Sequence, residues 1–240
     1  VTDWELMYDS RGDCAHVPEL LDRVERDHDP AAWEELERRL TVGAPLAFPA
    51  SLAALPRLVR LAGSSRRARR LAGRIVRYGA ATDGCDELFE ECTACVIELG
   101  RLLDEELRAR PEHYLDPFRD LLAARQEYHW AAVLQDCADA AFGVGCPHCP
   151  VEVTMVIGTR GHYSTIRTEQ LDDVERRTLR PASPEQLSGT GRWMYEVAVR
   201  DGRDALADTI VHLFGRVECP RCASVFTFAD AYTAANNPRA

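Results

Sequence analysis

The chain has 240 residues, 46 % of them hydrophobic and 28 % charged, with a formal net charge of −10. This describes an ordinary soluble globular protein with room for one large domain or two modest ones. It excludes a membrane-spanning helix, because no apolar run nears the roughly 20 residues such a span needs. The acidic total argues against general nucleic-acid binding by the whole molecule. All 29 basic residues are arginine, so lysine Schiff-base chemistry and a P-loop lysine are excluded. With abundant alanine, that bias points to a GC-rich bacterial genome of the actinobacterial kind. The opening Val1-Thr2-Asp3-Trp4-Glu5 has neither a basic nor an apolar leader region, so no secretory signal is expected. Nine cysteines without such a signal fit a reducing cytoplasm.

From about residue 17 to 142 the pattern predicts helices throughout. Pro18 to Asp27 and Pro30 to Leu40 each begin with proline in the first turn and carry acids early, which suits the helix dipole. Leu52, Leu55, Leu58, Val59 and Ala62 recur at helical spacing, and so do Ala68, Leu71, Ala72, Ile75, Val76 and Gly79. One long amphipathic helix is predicted through Leu88, Cys92, Val96, Leu99, Leu102 and Leu103, and another through Trp130, Leu134, Cys137 and Ala141. Consecutive pairs of this kind cannot bury their apolar faces alone and suggest a stacked array. Beyond Val144 the period changes: Val151, Val153, Met155 and Ile157 predict a strand, with Val156 among them. Gly158-Thr159-Arg160-Gly161 predicts a turn into a second strand, Tyr163–Arg167. Leu206, Ile210, Leu213 and Phe214 predict a helix, while Trp193 to Val199 is ambiguous. A strand over Ala223–Phe228 and a short helix from about Ala229 close the chain.

The firmest chemistry lies in Cys146-Pro147-His148-Cys149 and Cys219-Pro220-Arg221-Cys222. A Cys-x-x-Cys turn aims both sulfurs at one ion while turn amides donate to them, and proline fixes φ and removes an amide that would need a partner. Two matched turns predict a closed four-sulfur zinc site, structural rather than catalytic, at Cys146, Cys149, Cys219 and Cys222. Knuckle, strand, turn, strand and knuckle is the layout of a zinc ribbon, here with a long, partly helical insert. The metal then ties together segments distant in sequence.

Phe48 to Ala62, with its internal Pro56, resembles the first helix of a HEAT-type repeat, and Arg66 to Gly79 resembles the second. The whole chain is similar to bacterial, actinobacterial-type proteins that combine HEAT-like helical repeats with a C-terminal four-cysteine zinc ribbon. The resemblance implies a mainly α fold: a HEAT-like α-helical array over residues 1–142 and a small α+β zinc-ribbon unit over 143–240, packed as one compact protein.

Three further groups of residues invite chemistry. Cys92-Thr93-Ala94-Cys95, with Cys85 and Cys137, has the makings of a second metal site or redox pair. Cys92 falls on an apolar stripe, however, and a buried cysteine as a small hydrophobe is the simpler reading. Arg57, Arg60, Arg66, Arg67, Arg69, Arg70, Arg74 and Arg77 occur with no acidic residue among them. Seven of these (Arg57, Arg60, Arg66, Arg67, Arg70, Arg74 and Arg77) form the candidate binding surface, since guanidinium forks match carboxylate and phosphate geometry. The competing reading is a solvated belt neutralised by a helix bearing Asp86, Glu87, Glu90 and Glu91. Glu127-Tyr128-His129-Trp130 with Asp136 reads as aromatic packing in a core. The seven histidines look scattered, and no nucleophile elbow, P-loop or dinucleotide motif appears.

The expectation is therefore a cytoplasmic, non-catalytic protein-interaction scaffold or adaptor, in the manner of immunity proteins, with structural zinc and an unidentified protein partner. The alternative is a HEAT-like DNA glycosylase or other nucleic-acid-binding enzyme, using the Arg57–Arg77 belt with Trp33, Trp130, Trp193 and a carboxylate in a basic groove.

Overall fold

The computed structural model describes residues 4, 7–12, 14–41, 47–79, 86–134, 139–166 and 175–236. The sequence readings that involve Cys85, Asp136, Cys137 and Arg167 lie outside the described residues. The protein is mainly helical, with a small antiparallel sheet region near the C-terminal cysteines. Among the described residues, no helix is long and apolar enough to cross a membrane. Two compact units partition the chain, Val1–Ala131 and Ala132–Ala240.

The first unit is built from α1 (Val17–Asp27), α2 (Pro30–Leu40), α3 (Pro49–Ala62), α4 (Arg66–Gly79), α5 (Asp86–Glu91), α6 (Thr93–Arg108) and α7 (Leu115–Ala124), with α8 (Tyr128–Val133) at its end. Sequential helices pair: α1 with α2, α3 with α4 and α6 with α7. Further contacts join α3 to α1 and α6, and α4 to α6 and α7. Leu52, Leu55, Leu58, Leu71, Ile75, Leu99, Leu103 and Phe118 are fully buried between them, which is where the helical period placed most of the core.

Local chemistry sets the helix starts. Asp29 caps α2, its Oδ1 accepting from the amides of Ala31 at 2.9 Å and Ala32 at 3.3 Å. Pro30 then occupies the first turn, where a missing N–H costs nothing. Arg23 donates to the same carboxylate from α1, and with the capping amides it holds Asp29 below the usual carboxylate range. At the start of α3 the buried Ser51 hydroxyl accepts from the Phe48 amide at 3.1 Å and donates to the last carbonyl of α2, Leu40, at 2.7 Å. Pro56 sits inside α3 and has no N–H for the Leu52 carbonyl. The Cys92 thiol takes the vacant place, its Sγ 3.5 Å from the Leu52 oxygen.

Two expectations fail here. The long helix through Leu88 and Leu103 is two helices, α5 and α6, broken at Cys92. The Cys92 amide turns back to the Phe89 carbonyl at 3.1 Å instead of continuing the α-helical ladder. The helix expected to run through Ala141 is also wrong, because β1 already occupies Asp139–Gly145. Ala140, Phe142 and Val144 are buried and Ala141 and Gly143 exposed. That two-residue alternation outweighs the coincidental helical spacing of Trp130, Leu134 and Ala141.

In the second unit β1, β2 (Glu152–Gly158), β3 (Tyr163–Ile166) and β4 (Arg177–Thr178) form an antiparallel sheet in that order, and β5 (Arg216–Glu218) pairs with β6 (Val225–Thr227). Val153, Met155, Val156 and Ile157 are all buried, so β2 is covered on both faces at that point. The insert holds α9 (Gly189–Arg200) and α10 (Asp204–Leu213), and α11 (Phe228–Asn236) follows β6. Phe142 of β1 meets Phe228 of α11 edge to face at 6.1 Å. An isolated bridge between Arg180 and Arg216 links the sheets. The buried Ser164 of β3 donates its hydroxyl to the Glu218 carbonyl at 2.7 Å. Gly215 makes that approach possible, for a Cβ there would stand 2.3 Å from the Arg180 carbonyl oxygen.

Candidate metal centre and basic cleft

Both cysteine turns are the loops of β-hairpins. β1 and β2 are in register at Gly145 and Glu152, leaving residues 146–151 as the turn. β5 and β6 are in register at Glu218 and Val225, leaving residues 219–224. The two turns have the same length and closely similar bonding. Cys146 N–H donates to the Val151 carbonyl at 2.8 Å, and Cys219 N–H to the Ser224 carbonyl at 2.9 Å. Ala223 takes a left-handed φ of 57° to close the second turn, where a glycine would be easier.

These hairpins bring Cys146, Cys149, Cys219 and Cys222 together, one sulfur of each within 4.8 Å of the others. Cys146 Sγ is 3.8 Å from Cys222 Sγ, and Cys149 Sγ is 3.8 Å from Cys219 Sγ. A tetrahedral ion with ~2.3 Å bonds to sulfur requires sulfur–sulfur edges of ~3.8 Å. The four are free cysteines, with no disulfide, and lie close enough to hold a metal ion. His148 is exposed; it enters through its amide, which lies 3.4 Å from Cys146 Sγ. Burial, and then hydrogen bonds shared with the other sulfurs, pushes the Cys149 thiol up to about 12. The Ser224 hydroxyl and amide draw Cys222 down to about 6. Four thiolates in so small a space would repel one another, and a divalent cation at their centre would offset that charge.

The arginine belt maps onto α3 and α4, and most of it is engaged. Arg57 reaches Glu25 at 2.8 and 2.6 Å and Asp22 at 2.6 Å, tying α3 to α1. Arg66 and Arg69 share Glu106 of α6 at 3.0 and 3.1 Å. Arg67 pairs with Glu37 of α2 at 2.8 Å and lies 5.8 Å above the Trp33 ring. Arg74 stands 3.9 Å from the same Glu37. The neutralising acids thus come from α1, α2, α6 and α7. Glu87, Glu90 and Glu91 are exposed and form no ion pair with the belt among the described residues. Arg60 and Arg70 are exposed and have no ion pair there either.

Arg66, Arg67, Arg70, Arg74 and Arg77 line a cleft of about 530 Å³ with Glu37, Asp116 and Asp120. At its floor Arg77 Nε is 3.1 Å from Asp120 Oδ1, with side chains 7 % and 3 % exposed. The pair is poorly directed: Nε and Nη1 of Arg77 and Oδ1 of Asp120 have no hydrogen-bond partner. Burial outweighs the neighbouring guanidinium and pushes Asp120 up to about 7. Gly73 admits the carboxylate, since a Cβ there would lie 2.3 Å from Asp120 Oδ2. Nothing in the linear sequence marks Gly73 or Asp120, because their meeting depends on how α7 crosses α4.

The tryptophans do not line this cleft. Trp33 and Trp130 are buried, and Trp193 belongs to the other unit. His129 lies beside Trp130, ring centroids 5.3 Å apart and planes tilted by 47°, and burial holds its pKa below the usual histidine value. Cys92 is buried and its thiol pushed up to about 11, chiefly by desolvation. Among the described residues Cys92 and Cys95 join no metal-type cluster. Compared with protein-family models, with curated proteins and with solved structures, the chain matches none.

Proposed function

We propose that the chain is a non-catalytic protein-interaction scaffold whose arginine cleft docks an acidic segment of a protein partner and whose four cysteines hold structural zinc. The observation that carries this reading is the cleft itself, with five arginines, an exposed Arg70 that has no ion pair among the described residues, and buried guanidinium N–H groups. Glu37, Asp116 and Asp120 stand among the arginines. They would repel a long polyanion, whereas a short carboxylate-bearing segment can exchange one ion pair for another. The buried tryptophans favour this reading over the base-holding groove of a DNA glycosylase. For the metal, the supporting facts are sulfur edges of 3.8 Å and four protein sulfurs that leave no position for substrate.

The test compares an acidic peptide with duplex DNA by fluorescence anisotropy at physiological ionic strength. The peptide should bind, and Arg70→Glu should weaken it by at least ~10-fold, as expected when an attractive charge becomes repulsive. Arg70 is exposed, so this variant leaves the core ion pairs intact. Sub-micromolar duplex binding that falls steeply with salt and is lost in Arg70→Glu would replace this reading with the nucleic-acid one.

A further inference from the structure

A second constellation lies in the C-terminal unit, and its residues are far apart in sequence. His162 follows the Gly158–Gly161 turn, where the Gly161 amide donates to the Gly158 carbonyl at 3.0 Å. Its own carbonyl accepts from Leu179 at 3.1 Å, so the backbone that carries the ring is held on both sides. Asp208 and His212 are one turn apart on α10, a spacing that places both side chains on one helix face. One ligand atom from each of His162, Asp208 and His212 lies within 4.8 Å of the other two.

The three side chains are held against one another by direct contacts. His162 Nε2 is 3.1 Å from Asp208 Oδ2. The two imidazoles stack with centroids 4.2 Å apart and planes 17° from parallel, so the more exposed His162 ring must turn for both in-plane lone pairs to reach one ion. His212 Nδ1 is 2.8 Å from the Asp208 backbone carbonyl. A carbonyl oxygen only accepts, so Nδ1 carries the proton and Nε2 keeps the lone pair. Fixing one ring nitrogen on a backbone carbonyl is how metal-binding histidines are commonly oriented. His212 is buried, while the His162 and Asp208 side chains are 36 % and 52 % exposed, so the cluster opens to solvent on one side.

We propose that His162, Asp208 and His212 form a second metal site, for a divalent transition ion such as zinc or cobalt. Two imidazoles and one carboxylate suit these borderline ions. Three protein ligands leave room for water, unlike the four-sulfur site. The half-exposed ligands make this the weaker of the two sites, and the first to be stripped by a chelator.

The untagged 240-residue chain, first loaded with one equivalent of Zn²⁺ for the four-cysteine site, is titrated with Co²⁺ and followed by visible absorption, with Zn²⁺ calorimetry in parallel. A second equivalent should bind and give weak d–d bands without the intense sulfur-to-metal charge transfer of a thiolate site. His162→Ala and Asp208→Asn should each weaken it by at least ~10-fold, since losing even an outer-shell partner costs ~10–100-fold, and both should retain the first equivalent. Both positions are exposed enough for the variants to fold, which circular dichroism checks. A wild-type chain that takes only one equivalent, or a second equivalent unchanged in both variants, overturns the proposal.

Discussion

In the helical unit, α4 is held by Leu71, Ala72, Ile75 and Val76, all buried, and by ion pairs reaching α2, α6 and α7. In the C-terminal unit, β5 is three residues long, and its hairpin meets the four-stranded sheet through the four sulfurs, the Ser164 hydroxyl, the Arg180–Arg216 bridge and the ion pairs of Arg177 and Arg180 with Glu218. The helical unit rests on apolar packing and ion pairs, while the C-terminal unit adds to its own apolar core one cluster of four sulfurs at the ends of two short hairpins. A distributed core loses stability gradually as single groups are removed. A metal-type cluster is lost as a whole, because ion binding and folding are one equilibrium.

The sharpest way to break this comparison is to remove the proposed metal. Stripping with a chelator under reducing conditions, or replacing Cys219 by Ser, should cost the C-terminal unit on the order of 10 kcal/mol. Hydrogen exchange should then rise across residues 139–166 and 216–227 while α3 and α4 stay protected. Uniform loss of protection through both units would show that they do not fold separately, and unchanged exchange would remove the metal from the account.

A second variant probes the distributed unit. In an exposed helix, Gly→Ala stabilises by about 1 kcal/mol. Gly73→Ala should do the opposite, because the new Cβ would fall 2.3 Å from Asp120 Oδ2 and overpacking of this kind costs ~1–3 kcal/mol. Urea denaturation should show the helical unit weakened and the metal content unchanged. A stabilised Gly73→Ala protein would contradict the packing of α7 on α4.

The smallest effect is a slope. Asp120 is raised from 3.8 to about 7 in the folded protein, first by burial and then by Asp116, against the opposing Arg77. The folded state therefore holds the proton more tightly than the unfolded chain does. Its contribution to stability is complete below about pH 4 and is lost as the pH rises through about 7, at no more than ~1.4 kcal/mol per pH unit. Asp120→Asn cannot titrate, so its stability relative to wild type should climb over that window. A difference that is flat with pH would mean that the carboxylate is already charged in the fold.

Much of the helical unit was legible in the chain. Pro30 to Leu40 is a helix where its first-turn proline suggested, and Arg66 to Gly79 is one where apolar spacing and the HEAT-type resemblance suggested. The four cysteines converge as their paired spacing required. What was not legible depends on chain crossings. Asp120 is an unremarkable acid until Gly73 is beneath it, and His162 is one scattered histidine until α10 brings Asp208 and His212 to it. β1 was misread for a different reason. After Asp139, two alanines, two glycines, Phe142 and Val144 satisfy two periods at once, and only the pairing with β2 decides between them.

The meeting of Pro56 and Cys92 makes two distant positions depend on each other. The proline deprives Leu52 of its helical donor, and the thiol from the α5–α6 break supplies one. Only the proline is free to change by itself. Replacing the cysteine strands a carbonyl in the core, whereas restoring an ordinary amide at position 56 makes the thiol redundant and leaves position 92 open to any small apolar side chain. Across descendants of this chain, the two sites should therefore drift as a couple, with loss of the proline coming first.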